Sequence, residues 1–349
     1  MAELVTGFDI GGAHLKAAQV TAGGRVVAAL QVPCALWQGL DRLEQAFAEV
    51  RTRLFPIGRT AITMTGELAD LFPDRATGVR ELVHAAEAAL PEAGHRFWAG
   101  RHGFVGSHVA AGHAVEIASA NWLASATFAA RSLGEGLLVD LGSTTTDILL
   151  LAGGEVRARG FTDRERLTTG ELVYTGLTRT PLMAVADRAP FAGRWVGMMK
   201  EYFATAADAY RVLGILPEAA DQHPTADGGP KTAAASMRRL ARMIGADAAD
   251  GTPEDWRRLA AWLAGRQMRA IEDAAALQLS RGLVSDPAPL VGAGCGRFLL
   301  RPLAERLGLP YRDFAELLDL APEARDWAAT CAPAVAVALL ALQELERAG

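Results

Sequence analysis

The sequence predicts an α/β fold in which one phosphate-binding unit occurs twice, with a cleft between the two copies. Two similar segments, Asp9-Ile-Gly-Gly-Ala and Asp140-Leu-Gly-Ser-Thr, each follow one apolar run and precede another. A third glycine-rich segment occupies positions 292–296. Half of the 349 residues are hydrophobic, which is typical of a compact folded protein. This length is sufficient for two domains with substantial cores.

The first segment predicts a strand, a tight turn and a returning strand. Residues 4–8 and 15–20 are apolar runs of strand length, so Asp9 stands at a strand end. Gly11 and Gly12 have no Cβ, which lets backbone N–H groups face a phosphate. The carboxylate of Asp9 would repel that phosphate unless Mg²⁺ lay between them. The turn therefore predicts a metal-bridged phosphate site.

The second segment repeats this pattern between the apolar runs 136–139 and 148–152. Here Asp140 is the predicted metal ligand and Gly142 opens the turn. Hydroxyl groups are available as further phosphate donors on Ser143, Thr144 and Thr145. Two such turns facing each other would clamp a di- or triphosphate, with Mg²⁺ held by Asp9 and Asp140.

Lys16 and Asp147 lie at the same offset, seven residues after each aspartate. Lys16 is a candidate phosphate ligand that would act as a point charge. Asp147 is a candidate for holding a metal-bound water or for bracing the threonines of its turn. The alternative for both residues is a solvated or salt-bridged position on a strand.

The third segment predicts a strand, a glycine-rich turn and the start of a helix. Residues 289–291 lead into the turn, and a helical apolar pattern follows it. Such a helix start favours anions, although the glycine spacing is not that of the dinucleotide-binding fingerprint. The candidate ligand-binding positions are Gly292, Gly294 and Gly296. Tight packing alone would also explain these glycines.

Two further acidic residues are candidates for the catalytic base. Glu67 follows the predicted strand 61–65 and a glycine, so it is either a base near the first turn or an acid in the first turn of a helix. Asp227 lies in the segment 221–231, whose prolines and glycines predict a loop. The four histidines between 95 and 113 have spacings that match no usual zinc motif.

The remaining elements follow from periodicity and capping patterns. We expect a three-stranded meander over 4–32, strands at 61–65 and within 96–104, and a second meander over 137–159. The helix at 253–281 begins with the capping pattern Thr252-Pro-Glu-Asp255. Apolar periodicity predicts the other helices at 40–54, 79–89, 118–133, 232–244 and 333–345.

Charge and composition exclude several classes of partner. The net charge is −5 and no basic tract is present, so a small-molecule substrate is expected rather than nucleic acid. No signal peptide is recognised, and the most apolar stretch, 332–342, is too short to span a bilayer. Three widely separated cysteines predict neither a disulfide framework nor a zinc site. A cytoplasmic protein is therefore expected, with its oligomeric state left open.

Taken together, these motifs resemble the superfamily of sugar kinases, Hsp70 and actin. Two ribonuclease-H-like domains hold nucleotide between them in that superfamily. The aspartate segments resemble its two phosphate loops, residues 291–296 its adenosine motif, and residues 331–336 its second connecting segment. The resemblance implies a first domain over 1–117 and a second over 118–332 with a helical insertion at about 195–282. It also implies that the helix at about 333–349 returns to the first domain.

A closer resemblance is to the hydantoinase A/oxoprolinase-related branch. It rests on the two aspartate segments and on Thr65-Gly-Glu-Leu-Ala-Asp70. The short length, residues 120–124 (Ala-Asn-Trp-Leu-Ala) and residues 225–228 (Thr-Ala-Asp-Gly) resemble a form linked to tetrahydromethanopterin-dependent one-carbon metabolism and to archaeal methanofuran synthesis.

This resemblance implies a Mg²⁺-dependent transferase. It would join an aminomethylfuran-methyl diphosphate to a glutamyl amine, with a new carbon–nitrogen bond and release of pyrophosphate. Asp9 and Asp140 would organise the metal, and Glu67 or Asp227 would accept the proton of the amine. The superfamily leaves two alternatives open, an ATP-dependent kinase, ATPase or hydrolase, and a nucleotide switch without catalytic activity.

Overall fold

The computed structural model describes residues 4–91 and 94–348, and its strands form two main sheets of the same topology. The first sheet has the order β3-β2-β1-β4-β5-β6, in which β1 is antiparallel to β2 and parallel to β4. Its strands are β1 (Leu4–Ile10), β2 (His14–Thr21), β3 (Val26–Pro33), β4 (Arg59–Met64), β5 (His95–Trp98) and β6 (Phe104–Gly106).

The second sheet repeats this arrangement in the order β10-β8-β7-β13-β14, and β9 also pairs with β8. Its first strand is likewise antiparallel to the second and parallel to the later β13. Its strands are β7 (Gly136–Leu141), β8 (Thr146–Ala152), β9 (Glu155–Val156), β10 (Leu172–Val173), β13 (Leu290–Ala293) and β14 (Tyr311–Asp313). The repeated strand order confirms the duplicated ribonuclease-H-like fold expected from the sequence.

Helices cover the sheets and fill the long connection between β10 and β13. The helices that flank the first sheet and join it to the second are α1 (Asp41–Arg53), α2 (Arg75–Ala89), α3 (Ser107–Ala110), α4 (Ala114–Ile117) and α5 (Asn121–Leu133). Those that follow are α6 (Asp163–Thr169), α7 (Ala206–Val212), α8 (Ala233–Met243), α9 (Pro253–Leu279), α10 (Leu300–Arg306), α11 (Arg325–Ala328) and α12 (Ala332–Ala348).

The C-terminal helix α12 packs against β1, β2 and β4 of the first sheet and against α5. It approaches so closely that a Cβ on Gly7 would collide with the carbonyl oxygen of Ala334. Small side chains on both surfaces make this approach sterically feasible, because the distance between backbones depends on side-chain volume. The apolar cluster around α12 includes residues of both sheets, so it is the core that joins the two halves.

The segment between β10 and β13 has its own apolar core around Trp256. It contains α7, α8, the first part of α9 and a hairpin of β11 (Arg188–Phe191) and β12 (Arg194–Gly197). The hairpin was not predicted from the sequence. Pro190 and Gly193 interrupt the alternation by which a strand is recognised.

Polar contacts join the two halves at two places. Arg75 at the start of α2 donates to Asp163 at the start of α6, with 2.7 Å between Nη2 and Oδ2. Gln31 on β3 donates to Gln222, which precedes α8, with 3.1 Å between Nε2 and Oε1. The two halves are therefore linked by polar side chains as well as by the apolar core around α12.

Several boundaries differ from those predicted. The strand expected within 96–104 is a pair, β5 and β6, separated by a turn in which Gly100 and Gly103 have positive φ. Helix α2 begins four residues before the predicted position 79, because Asp74 caps it by accepting from Thr77 N–H. Within the described ranges no single helix is long and apolar enough to cross a membrane, and the one pair that reaches that length together is bent by 119°.

Candidate active site

A cleft of about 430 Å³ lies between the two aspartate turns. It is lined from the first half by the β1–β2 turn and the end of β4, and from the second half by the β7–β8 turn and residues around α6. The predicted site residues that line it are Asp9, Gly11, Gly12, Lys16, Asp140, Gly142, Ser143, Thr144, Thr145 and Asp147. The structure thus brings both predicted phosphate turns to one cavity.

The two turns have equivalent backbone geometry, but the residue that pairs with the aspartate is a cation in the first turn and an anion in the second. In the first, Asp9 pairs across the ladder with Lys16, and in the second Asp140 pairs with Asp147 in the same place. Each turn is closed by a bond to the backbone three residues along, from Gly11 N–H to the His14 carbonyl and from Gly142 N–H to the Thr145 carbonyl. The duplication therefore extends to the register of individual residues.

Asp9 is almost completely buried and is held by two side chains. Lys16 donates to its Oδ2 at 3.2 Å, and Asn121 at the start of α5 donates to its Oδ1 at 3.4 Å. Burial opposes the charge of Lys16, but the carboxylates of Asp9 and Asp140 outweigh this effect and hold the pKa of Lys16 above its ordinary value. Lys16 is thus a permanent cation at the base of the cleft.

Asp140 has no ion-pair partner of its own among the residues that the structure describes, although Lys16 lies near it. Burial, with the nearby carboxylates, raises the pKa of Asp140 to about 7. Asp147 opposite it is compensated, because Arg166 donates to its Oδ1 at 2.6 Å. Asp140 is consequently the carboxylate that gains most from an additional cation.

In the second turn carbonyl groups are bonded, whereas two N–H groups are left free among the residues that the structure describes. Leu177 N–H donates to the Gly142 carbonyl, and Arg179 N–H donates to the Ser143 carbonyl, both at 2.9 Å. In the described part of the chain the N–H groups of Ser143 and Thr144 donate to no protein acceptor. A turn with free N–H groups at a cavity forms an anion-binding concavity.

The residues present fit Mg²⁺ better than a metal with a complete protein ligand set. No group of three or more His, Cys, Asp or Glu residues in the described ranges has the geometry to hold a metal ion. Mg²⁺ usually retains waters and uses one or two carboxylates together with substrate phosphates. The uncompensated carboxylate of Asp140, with Asp9 in the same cleft, is a suitable donor set for this mode of binding.

The cleft also contains residues that were not predicted from the sequence. Arg179 donates through Nη1 to the Thr144 hydroxyl at 3.2 Å and stacks on Trp37, with 4.9 Å from Cζ to the ring centroid. His14 lines the same cavity and is buried, and its Nε2 has no hydrogen-bond partner. Arg166 stacks on Trp122, with 4.0 Å from its Cζ to the ring centroid. These residues carry no local motif, because their role depends on the folding of distant segments.

Glu67 lies directly behind the cleft lining. Ser119 connects it to the cleft, since Ser119 Oγ is 2.7 Å from Glu67 Oε1 and 3.2 Å from Asp163 Oδ2. Burial raises the pKa of Glu67 above its ordinary value, and its Oε2 has no partner. Ser119 itself has a φ of 51°, an uncommon conformation for a residue other than glycine. Such strain is often found at functional sites.

Asp227 and the third glycine segment do not line the cleft. The carboxylate of Asp227 is bonded to Arg239 Nη1 at 3.1 Å and to Gly229 N–H at 2.9 Å, so it shapes its own loop. The Gly296 N–H donates to the Leu141 carbonyl at 2.8 Å, and a side chain on Gly294 would collide with Asp140. Gly292 is in contact with the ring of Tyr311. Asp227 is thus bonded within its own loop and lies outside the cleft lining, which does not favour the catalytic role expected for it.

Comparison with known proteins identifies the family. The hydantoinase/oxoprolinase family profile matches residues 59–321, which is most of the chain. The chain belongs to the hydantoinase/oxoprolinase family. This confirms the family resemblance that was read from the motifs.

Two archaeal relatives share one name within the hydantoinase/oxoprolinase family. One is the (4-{4-[2-(gamma-L-glutamylamino)ethyl]phenoxymethyl}furan-2-yl)methanamine synthase of Methanocaldococcus jannaschii, 32% identical over 245 residues, or 70% of this chain and 72% of the relative. The same-named synthase of Methanococcus vannielii is 37% identical over 111 residues, or 32% of this chain and 50% of the relative.

A solved structure supports the fold of this family member. The nucleotide-free form of acetone carboxylase superposes with a TM-score of 0.57 at 13% identity, over 97% of this chain and 70% of the carboxylase. At this identity the similarity concerns the fold alone.

Proposed function

We propose that this protein is a synthase of methanofuran-type cofactor biosynthesis that displaces diphosphate from a furan-methyl donor. The observation that carries the proposal is the similarity to the Methanocaldococcus jannaschii synthase, at 32% identity over 72% of its length. The cleft supports it, because two turns suited to anions, with a half-buried lysine and two aspartates, suit a diphosphate better than a neutral ligand.

The name of the relatives' product specifies the bond that we assign to the reaction. The term phenoxymethyl places an oxygen atom between an aromatic ring and the methylene group on the furan. The new bond is then carbon–oxygen, which corrects the carbon–nitrogen bond expected from the sequence. The phenol oxygen attacks the furan methylene, the bond from that carbon to the diphosphate oxygen breaks, and its electron pair leaves with pyrophosphate. The phenolic proton passes to a base.

In this proposal the diphosphate lies between the two turns. Asp140 and Asp9 would hold Mg²⁺, which supplies positive charge for the departing diphosphate. Lys16 and the N–H groups of Ser143 and Thr144 donate to the phosphate oxygens. One opposite charge at about 4 Å is worth roughly 4 kcal/mol at an effective dielectric of about 20. A few such contacts stabilise the leaving group without any covalent nucleophile.

The proton acceptor in this proposal is Glu67, acting through Ser119. Ser119 lines the cleft and Glu67 does not, so the serine hydroxyl connects the acceptor phenol to the buried carboxylate. Burial raises the pKa of Glu67, which makes it a stronger base than an exposed glutamate. The proton of Ser119 passes to Glu67 Oε1 as the phenolic proton passes to Ser119 Oγ.

An ATP-dependent kinase or hydrolase is the second candidate, since acetone carboxylase of the same fold acts in an ATP-dependent carboxylation. The positions of Gly292, Gly294 and Gly296 favour the synthase. These glycines, expected to contact adenosine, pack against β7 and Tyr311 and do not line the cavity among the described residues.

Product analysis separates the two candidates. The pure protein is incubated with Mg²⁺, the furan-methyl diphosphate and a γ-glutamyl-substituted phenol, or with ATP in place of the diphosphate. We expect pyrophosphate in equal amount to an aryl ether, detected by mass spectrometry, and no ADP. ADP formed in equal amount to a phosphorylated acceptor would identify a kinase and end the synthase proposal.

A further inference from the structure

We propose that Arg179 binds the terminal phosphate of the diphosphate, at an anion subsite formed with Trp37 and His14. The identity of the ligand rests on the function proposed above. The existence of the subsite rests on the charge and geometry of this end of the cleft.

Charge balance in the cleft singles out Arg179. Lys16 is paired with Asp9, Arg166 with Asp147, and Arg75 with Asp163. In the described part of the chain no carboxylate pairs with the half-buried guanidinium of Arg179. A guanidinium keeps its proton in proteins, so this end of the cleft has a positive charge without a counter-ion. Asp140, at the base of the cleft, is a carboxylate that likewise forms no ion pair with a described residue.

The position of Arg179 matches a phosphate held by the second turn. Its backbone N–H is fixed on the Ser143 carbonyl at 2.9 Å, and its Nη1 is 3.2 Å from the Thr144 hydroxyl. The free N–H groups of Ser143 and Thr144 belong to this same turn. Stacking on Trp37 orients the planar guanidinium, which leaves further N–H donors for a second contact with the ligand.

The imidazoles of His14 and His223 lie at the same end of the cleft, where the described residues provide no carboxylate partner for Arg179. The rings of His14 and His223 are 4.6 Å apart, and the ring of His223 is 5.7 Å from that of Trp37. Neither Nε2 has a hydrogen-bond partner among the described residues, and His14 is only 4% exposed while lining the cavity. Burial, together with His223, Lys16 and Arg179, lowers the pKa of His14 well below its ordinary value. An anion at this position would compensate these unpaired groups.

The test compares pyrophosphate with inorganic phosphate as calorimetric ligands, both with Mg²⁺. We expect R179A to weaken pyrophosphate binding about tenfold or more, because a charged hydrogen bond is lost. Phosphate binding should change less than twofold, since one phosphate needs only the turns and the metal. R179K should retain part of the affinity for pyrophosphate, because lysine supplies a positive charge but no planar group to stack on Trp37.

R188A is the matched control. Arg188 stacks on Trp195 at 4.8 Å in the β11–β12 hairpin, outside the cleft, so this variant removes a similar arginine–tryptophan contact. It should leave both affinities unchanged. Circular dichroism verifies that all variants are folded.

Two outcomes would overturn the inference. The first is equal loss, or no loss, of pyrophosphate and phosphate binding in R179A. The second is unchanged pyrophosphate binding with a raised KM for the γ-glutamyl-substituted phenol, which would assign Arg179 to the acceptor's carboxylate. Because the ligands bind without turnover, a protein that lacks synthase activity but binds pyrophosphate through Arg179 would reject the proposed function and leave this inference intact.

Discussion

Asp140 is only partly accessible and forms no direct ion pair with any residue that the structure describes, although Lys16 lies near it. A structural carboxylate in such a position would destabilise the fold, because burial disfavours its charged form. Its presence at a strand end beside a phosphate-binding turn indicates a role with a ligand.

The D140N variant should therefore lose turnover and keep its fold. We expect synthase activity to fall more than tenfold, equivalent to more than about 1.4 kcal/mol of transition-state stabilisation, because the charge that organises the metal is absent. The melting temperature should not decrease. Activity is measured by pyrophosphate release, with D187N, an exposed aspartate of the insertion, as the control. Retention of more than a tenth of the rate would argue against the metal role.

Glu67 gives a prediction about the pH dependence of stability. Its pKa is raised in the folded state, so the folded protein keeps this proton at pH values where the unfolded chain has released it. The contribution of Glu67 is therefore most favourable below its ordinary value of 4.5 and is lost as pH rises through the folded pKa.

The E67Q variant should become progressively more stable than the native protein as pH rises above about 4.5. Glutamine keeps a hydrogen-bonding group beside Ser119 but has no charge to bury. Urea unfolding followed by circular dichroism between pH 5 and 8 gives the difference in unfolding free energy. A difference that does not vary with pH would show that Glu67 is not buried as a titrating carboxylate.

At this scale the sequence predicted the residues that act through a local motif. Asp9 and Asp140 were recognised because each stands before a turn of small residues, and Lys16 and Asp147 because they repeat one offset. Arg179, His14 and Ser119 were missed, since each acquires its role from a partner that is distant in sequence, as Arg179 does from Trp37. The contact between Arg239 and the carboxylate of Asp227 was missed for the same reason.

Among the elements, the third glycine turn shows how packing and ligand binding leave similar sequence patterns. Gly294 has a φ of 83°, and its Cα lies against the end of β7 at Asp140 and Leu141. A strand followed by a glycine-rich turn was correctly predicted here. Of the two reasons weighed for the glycines, ligand binding and tight packing, the contacts favour packing, because the register between β13 and β7 places them beside Asp140.

The G294A variant should lower the unfolding free energy by more than the backbone conformation alone explains. Alanine at a left-handed position costs about 1–2 kcal/mol, and here its Cβ would also collide with Leu141 and Asp140. G308A is the control, since Gly308 has a φ of 70° but no atom within 4 Å of an added Cβ. Urea unfolding compares the two. Equal losses would show that Gly294 is not closely packed against β7.

Elements with strong periodicity or clear caps were predicted within a few residues. Helix α9 ends two residues before its predicted end, and its start at Pro253 follows from the Thr252 cap. The hairpin β11–β12 and the short strand β14 were missed, because their pairing depends on contacts that have no period in the sequence. Their stability comes from packing, as in the contact between Phe191 and Trp256.

For the whole molecule, the duplicated fold places the carboxylate of Asp140 and the guanidinium of Arg179 in a single cleft, and neither forms an ion pair with a described residue. A magnesium complex of a diphosphate carries both complementary charges. We expect pyrophosphate to bind at least tenfold more weakly when Mg²⁺ is removed by a chelator, as measured by calorimetry. Calcium serves as a control for a nonspecific effect of divalent charge. Equal affinity with and without chelator would remove the metal from the proposed site.

The polar contacts between the two halves have a consequence for turnover. Any movement that separates the halves must break the Arg75–Asp163 and Gln31–Gln222 pairs. Each contact of this partly exposed kind is worth only about 1 kcal/mol or less, so thermal motion breaks them readily. Separation of the two halves would then not be the slow event of turnover. These polar pairs, one of which reaches Ser119 through Asp163, would hold the halves together between openings without limiting product release.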